Sequence, residues 1–187
     1  MPPKVKITKE DIVCAAVELV RTNGLQAINA RAVATALGCS TQPVFSNFAT
    51  MDDLILAVEQ RAVDLYQEYT KREMAGGEYP VYKANGMAYI RFAKEERELF
   101  KLLYMRDRAG ETVSQEMEMT HQMMGIVHSS TGLDGDTMRL FHLEMWAYVH
   151  GIAAMFATGF LDLPWELVSR MLTDIYQGLR KQYGTED

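Results

Sequence analysis

Between Gly38 and Thr50 the chain places two primary amides, Gln42 and Asn47, among Thr41, Pro43 and Ser46. A primary amide holds a donor and an acceptor side by side, which suits bidentate pairing with an adenine edge. Thr and Pro offer carbon surface to a thymine methyl. Val44 and Phe48, four residues apart, share one helical face and point away from those polar groups. The chemistry on offer is recognition of base edges by contact rather than covalent catalysis.

Other constellations carry less. Glu118 and His121 have the spacing of one half of a di-iron site, yet the chain holds no second Glu-x-x-His. His121 and His128, seven apart, lack a carboxylate partner in the pattern, so no metal and no cofactor is expected. Cys14 and Cys39 read as small apolar fillers. No nucleophile–base pair and no phosphate-binding glycine loop is present, so the chain is not read as an enzyme. The second half is rich in Met and aromatic residues, which re-pack around varied shapes. Met87, Phe92, Tyr104, Met117, His121, Met124, Trp146 and His150 are the expected lining of an apolar cavity. Trp146 and His150 lie one helical turn apart, and His150 is read as a hydrogen-bonded structural histidine rather than a ligand contact.

Helices must position these residues, since no alternating strand pattern occurs. Thr8 with Asp11 caps a first helix whose stripe is Ile12, Ala16, Leu19 and Val20, closed by Asn23-Gly24. A short helix runs from about 30 to 37 and stops at Gly38; a second, capped by Ser40, runs to about Asn47 with Pro43 in its first turn. This is helix-turn-helix spacing, although the same spacing also describes an ordinary corner between two helices. Thr50 with Asp53 opens a long helix that breaks at Ala75-Gly76-Gly77. Further helices are predicted at about 79–94, 96–106, 111–130, 135–160 and 164–183. The fold class is all-α: an N-terminal three-helix domain over 6–66, joined by a long helix to a helical domain over 75–184.

Charge divides the chain. The 187 residues sum to a net charge of −6, but residues 1–50 hold five basic residues (Lys4, Lys6, Lys9, Arg21, Arg31) against three acidic ones. Such asymmetry fits an N-terminal segment that meets a polyanion. Two cysteines and the lack of an apolar leader point to a cytoplasmic protein, and Gly151–Leu161 is too short to span a bilayer. The last two helices are apolar on more than one face, with Leu140, Phe141, Met145, Tyr148, Leu167 and Leu172 among those residues. Such helices need covering twice, which fits a homodimer through a four-helix bundle.

Residues 8–60 resemble the DNA-binding domain of the TetR (tetracycline-repressor-like) regulators. The resemblance rests on Asn23-Gly24-Leu25, Val33-Ala34, Leu37-Gly38-Cys39-Ser40, Val44-Phe45, Phe48 and Asp52-Asp53-Leu54. Trp146, His150 and Gly151 are similar to a Trp–His–Gly signature in one class of the family's C-terminal domains, as is Leu102–Asp107. The pattern departs at Phe45, where the family commonly has a phosphate-binding Tyr, at Met51, commonly Lys, and at Gln42-Pro43, commonly Gly-Thr. The resemblance implies a homodimeric repressor of a double-stranded operator, released by a small apolar or amphipathic effector. Its implied DNA-binding residues are Lys6, Arg31, Ser40, Thr41, Gln42, Pro43, Phe45, Ser46 and Asn47. A recognition helix without Lys or Arg leaves phosphate contact to Lys4, Lys6, Lys9, Arg31 and helix N-termini, so a shallow salt dependence is expected. The alternative is a helical interaction module without sequence-specific DNA binding.

Overall fold

The computed structural model describes residues 7–106 and 114–184, with the backbone alone over 114–121. Among these residues all regular structure is helical: α1 (Lys9–Asn23), a single 3-10 turn (Leu25–Ala27), α2 (Ala30–Ala36), α3 (Gln42–Asn47), α4 (Met51–Gly76), α5 (Val81–Glu95), α6 (Arg97–Tyr104), α7 (Ser114–Thr131), α8 (Gly135–Ala157) and α9 (Trp165–Gln182). Two reciprocal caps fix helix starts. At α1 the Thr8 hydroxyl accepts the Asp11 N–H at 3.1 Å while the Asp11 carboxylate accepts the Thr8 N–H at 2.8 Å. The Thr8 hydroxyl also donates to that carboxylate at 2.7 Å, and this bond, with the one from the Thr8 N–H, holds the Asp11 carboxyl below the usual carboxylate range. Thr50 and Asp53 repeat the arrangement at the start of α4, at 3.1 and 2.9 Å. No helix among the described residues is long and apolar enough to cross a membrane.

The chain forms two compact units. One comprises the chain as far as Gln67 together with Glu96–Arg106; the other comprises Glu68–Glu95 and the chain beyond Arg106. The expected division ran at 66 and 75; α6 groups and packs with the N-terminal helices. In the first unit Ile12, Ala16, Val20, Val33, Val44, Phe48, Leu54 and Val58 are buried together with Leu99, Phe100 and Leu102 of α6. The entry to α6 is fastened by a fork: Arg21 Nε and Nη2 donate to the two carboxylate oxygens of Glu96, both at 2.8 Å. Arg21 also pairs with Glu18. Bidentate pairing of this kind fixes geometry as well as charge. Tyr104 stacks edge-on against Tyr66 and lies 5.1 Å from Phe100, centroid to centroid.

In the second unit α5, α7, α8 and α9 enclose a core around Tyr82, Val127, Phe141, Met145 and Leu179. Gly86 lets α5 approach its neighbours closely: a Cβ there would stand 3.1 Å from Leu172 and 3.5 Å from Val149. Arg91 and Lys94 of α5 hold the start of α9, with the Arg91 guanidinium 4.4 Å from the Trp165 ring centroid and the Lys94 ammonium 5.1 Å from it. Lys94 also pairs with Asp162 in the α8–α9 connection.

Candidate nucleic-acid interface

The corner between α2 and α3 is built from backbone bonds and one glycine. Asn29 opens α2 by accepting the Ala32 N–H at 2.9 Å. At the other end the Gly38 N–H donates to Thr35 O at 3.1 Å and the Cys39 N–H to Ala34 O at 2.9 Å. That bond pair is a Schellman closure, which needs a left-handed residue, and Gly38 supplies it with φ +63°. The helix α3 begins at Gln42, preceded by Thr41 without a side-chain cap, so the expected cap by Ser40 is not formed. Pro43 sits in the first turn, where its missing N–H is not needed. Val44 (1% exposed) and Phe48 (3%) are buried, as are Val33 and Ala34 of α2, on which α3 packs.

Opposite that buried side, Gln42, Phe45 and Ser46 face solvent. Phe45 is 56% exposed, a bare phenyl ring on the outward face. Ser46 Oγ donates to Gln42 O and Asn47 Nδ2 donates to Pro43 O, both at 2.8 Å. Asn47 is thereby half-buried, as are Thr41 and Pro43. The expectation that all three stand free on the outer face is corrected: Asn47 bonds back to its own helix, as short polar side chains tend to. Ser40 and Arg31 are exposed. Lys9 is exposed as well, its ammonium 4.9 Å from the Phe48 ring centroid. Lys4 and Lys6 lie outside the described residues. Cys39 is half-buried, whereas Cys14 is exposed and fills no core position.

The residues expected to line a cavity stand as follows. Met87 and Phe92 are fully buried core side chains, closed in by their neighbours. Met124 is half-buried against the Tyr82–Phe141 core. Tyr104 belongs to the first unit, and the side chains of Met117 and His121 lie outside the described residues. Trp146 is 45% exposed and stacks on His150, ring centroids 5.2 Å apart. His150 Nδ1 is 2.9 Å from the Tyr89 hydroxyl. Sequence reasoning missed its counterpart one turn pair earlier, where His142 Nδ1 is 3.0 Å from the Tyr82 hydroxyl. The seven-residue spacing of the tyrosines and the eight-residue spacing of the histidines was the available signal. Burial lowers the pKa of both histidines, so both favour the neutral ring. A cavity of about 250 Å³ lies along α8, the α8–α9 connection and α9, lined by residues such as Tyr148, Ile152, Met155, Leu163 and Met171. Among the described residues no group of three or more metal-ligating side chains is gathered.

Residues 82–175, half of the chain, match the family model for the tetracyclin repressor-like C-terminal domain. An uncharacterised helix-turn-helix transcriptional regulator of Mycobacterium tuberculosis is 26% identical over 164 residues, covering 84% of this chain and 73% of its own length. A TetR-like transcriptional regulator from Rhodococcus sp. RHA1 superposes over the whole of both chains with a TM-score of 0.67 at 16% identity. The multidrug binding protein EbrR, solved in complex with imidazole, gives a TM-score of 0.59 at 20% identity over 89% of this chain and 88% of that one. The two superpositions show a shared fold. With a glycine-closed corner in the N-terminal unit and a helical second unit that the family model recognises, the chain belongs to the tetracyclin repressor-like (TetR) family of DNA-binding transcriptional regulators.

Proposed function

We propose that the protein is a homodimeric cytoplasmic repressor that grips an inverted-repeat operator through α3 and releases it when a small apolar or amphipathic molecule binds the second unit. The observation that supports this most is the outward face of α3, where Gln42 and Phe45 are exposed beyond a corner closed at Gly38. Base-edge readout needs side chains in that position on a helix short enough to enter the major groove.

Dimer formation draws support from α8. Leu140, Leu143 and Ala147 are exposed, and Gly151 and Ala154 half-exposed, at steps of three and four residues, so one apolar row runs along the helix. A second copy of the same row covers it with two-fold symmetry, which suits paired half-sites about one DNA turn apart. An effector role draws support from the apolar groove along α8 and α9, and from EbrR, a multidrug binder of the same fold. The effector acts by favouring the arrangement of the dimer that binds DNA poorly. The continuous helix α4 runs by its sequence span from one unit into the other.

An α3 without Lys or Arg favours a second reading, an interaction module that has lost its operator. Selection of bound duplexes from a random-sequence pool at low salt separates the two. A repressor enriches an inverted repeat; a module without operator specificity enriches nothing.

A further inference from the structure

The outward face of α3 is unusual in its chemistry. Residues 42, 45 and 46 fall on one side of a helix of 3.6 residues per turn, and these are the exposed ones. Ser46 spends its hydroxyl proton on the Gln42 carbonyl and Asn47 commits an amide proton to Pro43. Ser46 Oγ keeps only its acceptor lone pairs and Asn47 its Oδ1 and one N–H, so the two whole side chains left to meet a duplex from this exposed side are the Gln42 amide and the Phe45 ring, 56% exposed. The ring has no hydroxyl to donate to a phosphate and no charge to pair with one. Its carbon surface can gain by contact only where a base edge is itself apolar. In the major groove the apolar group displayed by an unmodified base pair is the C5-methyl of thymine.

We infer that Phe45 is a specificity-determining residue that reads a thymine methyl in each operator half-site, one helical turn along α3 from the base contacted by Gln42. This rests on the operator-binding function proposed above and deepens it: the half-site contains a thymine whose methyl, rather than its hydrogen-bonding groups, is recognised.

The test uses the full chain and the duplex recovered by random-sequence selection, followed by fluorescence anisotropy. Each thymine of both half-sites is replaced in turn by deoxyuridine, which removes the methyl and leaves the pairing edges unchanged. One symmetric thymine position is expected to lose about fourfold in affinity per half-site, the worth of one buried methyl. In Phe45→Ala that position is expected to become indifferent to the methyl, while Phe45→Leu keeps part of the discrimination. Gln42→Ala, measured alongside, is expected to relax preference at a different base and to leave the methyl effect intact. Because Phe45 is mostly exposed, its replacement leaves the core untouched, and circular dichroism checks this. A specific complex in which every thymine tolerates deoxyuridine, or one whose methyl sensitivity survives Phe45→Ala, overturns the inference alone. A loss in Phe45→Ala that is equal on all sequences assigns the ring to the sugar–phosphate backbone and also overturns it. Absence of any sequence-preferring complex overturns both this inference and the operator-binding function.

Discussion

Single side chains decide what α3 can present. Periodicity alone puts Gln42 outside and Val44 and Phe48 inside, and the burial pattern agrees. Periodicity does not show that Asn47 bonds back to Pro43, because competition between side chain and backbone depends on rotamer rather than on spacing. The same blindness hid the Tyr82–His142 pair, whose partners are 60 residues apart in sequence. The two half-buried histidines carry a pH dependence. His142 faces the Tyr82 hydroxyl, and His150 faces Tyr89 and stacks on Trp146. Folding lowers the pKa of both below the ordinary value of 6.5, so the unfolded chain binds protons first as pH falls. Stability is therefore unaffected by these groups above about pH 6.5 and declines below it. Urea midpoints at pH 7.5 and 5.5 are expected to fall in the wild type and to converge in the double variant His142→Gln/His150→Gln. An equal fall in both proteins would assign the acid sensitivity elsewhere.

Helices are where the sequence is most informative, because their ends are written in local chemistry. Thr8–Asp11 and Thr50–Asp53 were readable as starts, and Gly24 and Gly38 as stops; the structure forms all four. Expected boundaries elsewhere lie within about three residues of those observed, apart from Ser40, which does not cap α3. What periodicity could not supply is the partner of each apolar stripe. Leu99, Phe100, Leu102 and Leu103 mark α6 as amphipathic, yet the same pattern serves any core. The Arg21–Glu96 fork and the packing of α6 on α1 place it with the N-terminal helices. The reciprocal cap of α4 is testable as an element. Thr50→Ala removes the acceptor of the Asp53 N–H and is expected to cost about 0.5–2 kcal/mol in chemical unfolding. Thr50→Ser is expected to cost much less, and equal losses in the two variants would deny the cap its role.

At the level of the assembled protein, the proposed operator binding depends on pairing two copies of α3. The row of Leu140, Leu143 and Ala147 on α8 is the proposed contact, with Leu143 56% exposed. Leu143→Glu brings two carboxylates together across the two-fold axis, where like charges cost several kcal/mol. Sedimentation is expected to show monomer at concentrations where the wild type is dimeric, with helical content unchanged. A variant that stays dimeric would place the interface on another face. Composition alone does not tell a cavity lining from a closed core. Met and aromatic side chains fill a closed core as readily as they line an open one, and Met87 and Phe92 do the former. Recognition of DNA by the α2–α3 corner is the claim on which the rest stands, and Gln42 tests it most directly. Anisotropy titrations compare wild type with Gln42→Ala on the selected duplex and on duplexes permuted at each half-site position. The expected result is a loss of about 1–3 kcal/mol per half-site on the selected duplex, with discrimination abolished at one symmetric base pair. Unchanged affinity and unchanged discrimination in Gln42→Ala would contradict it.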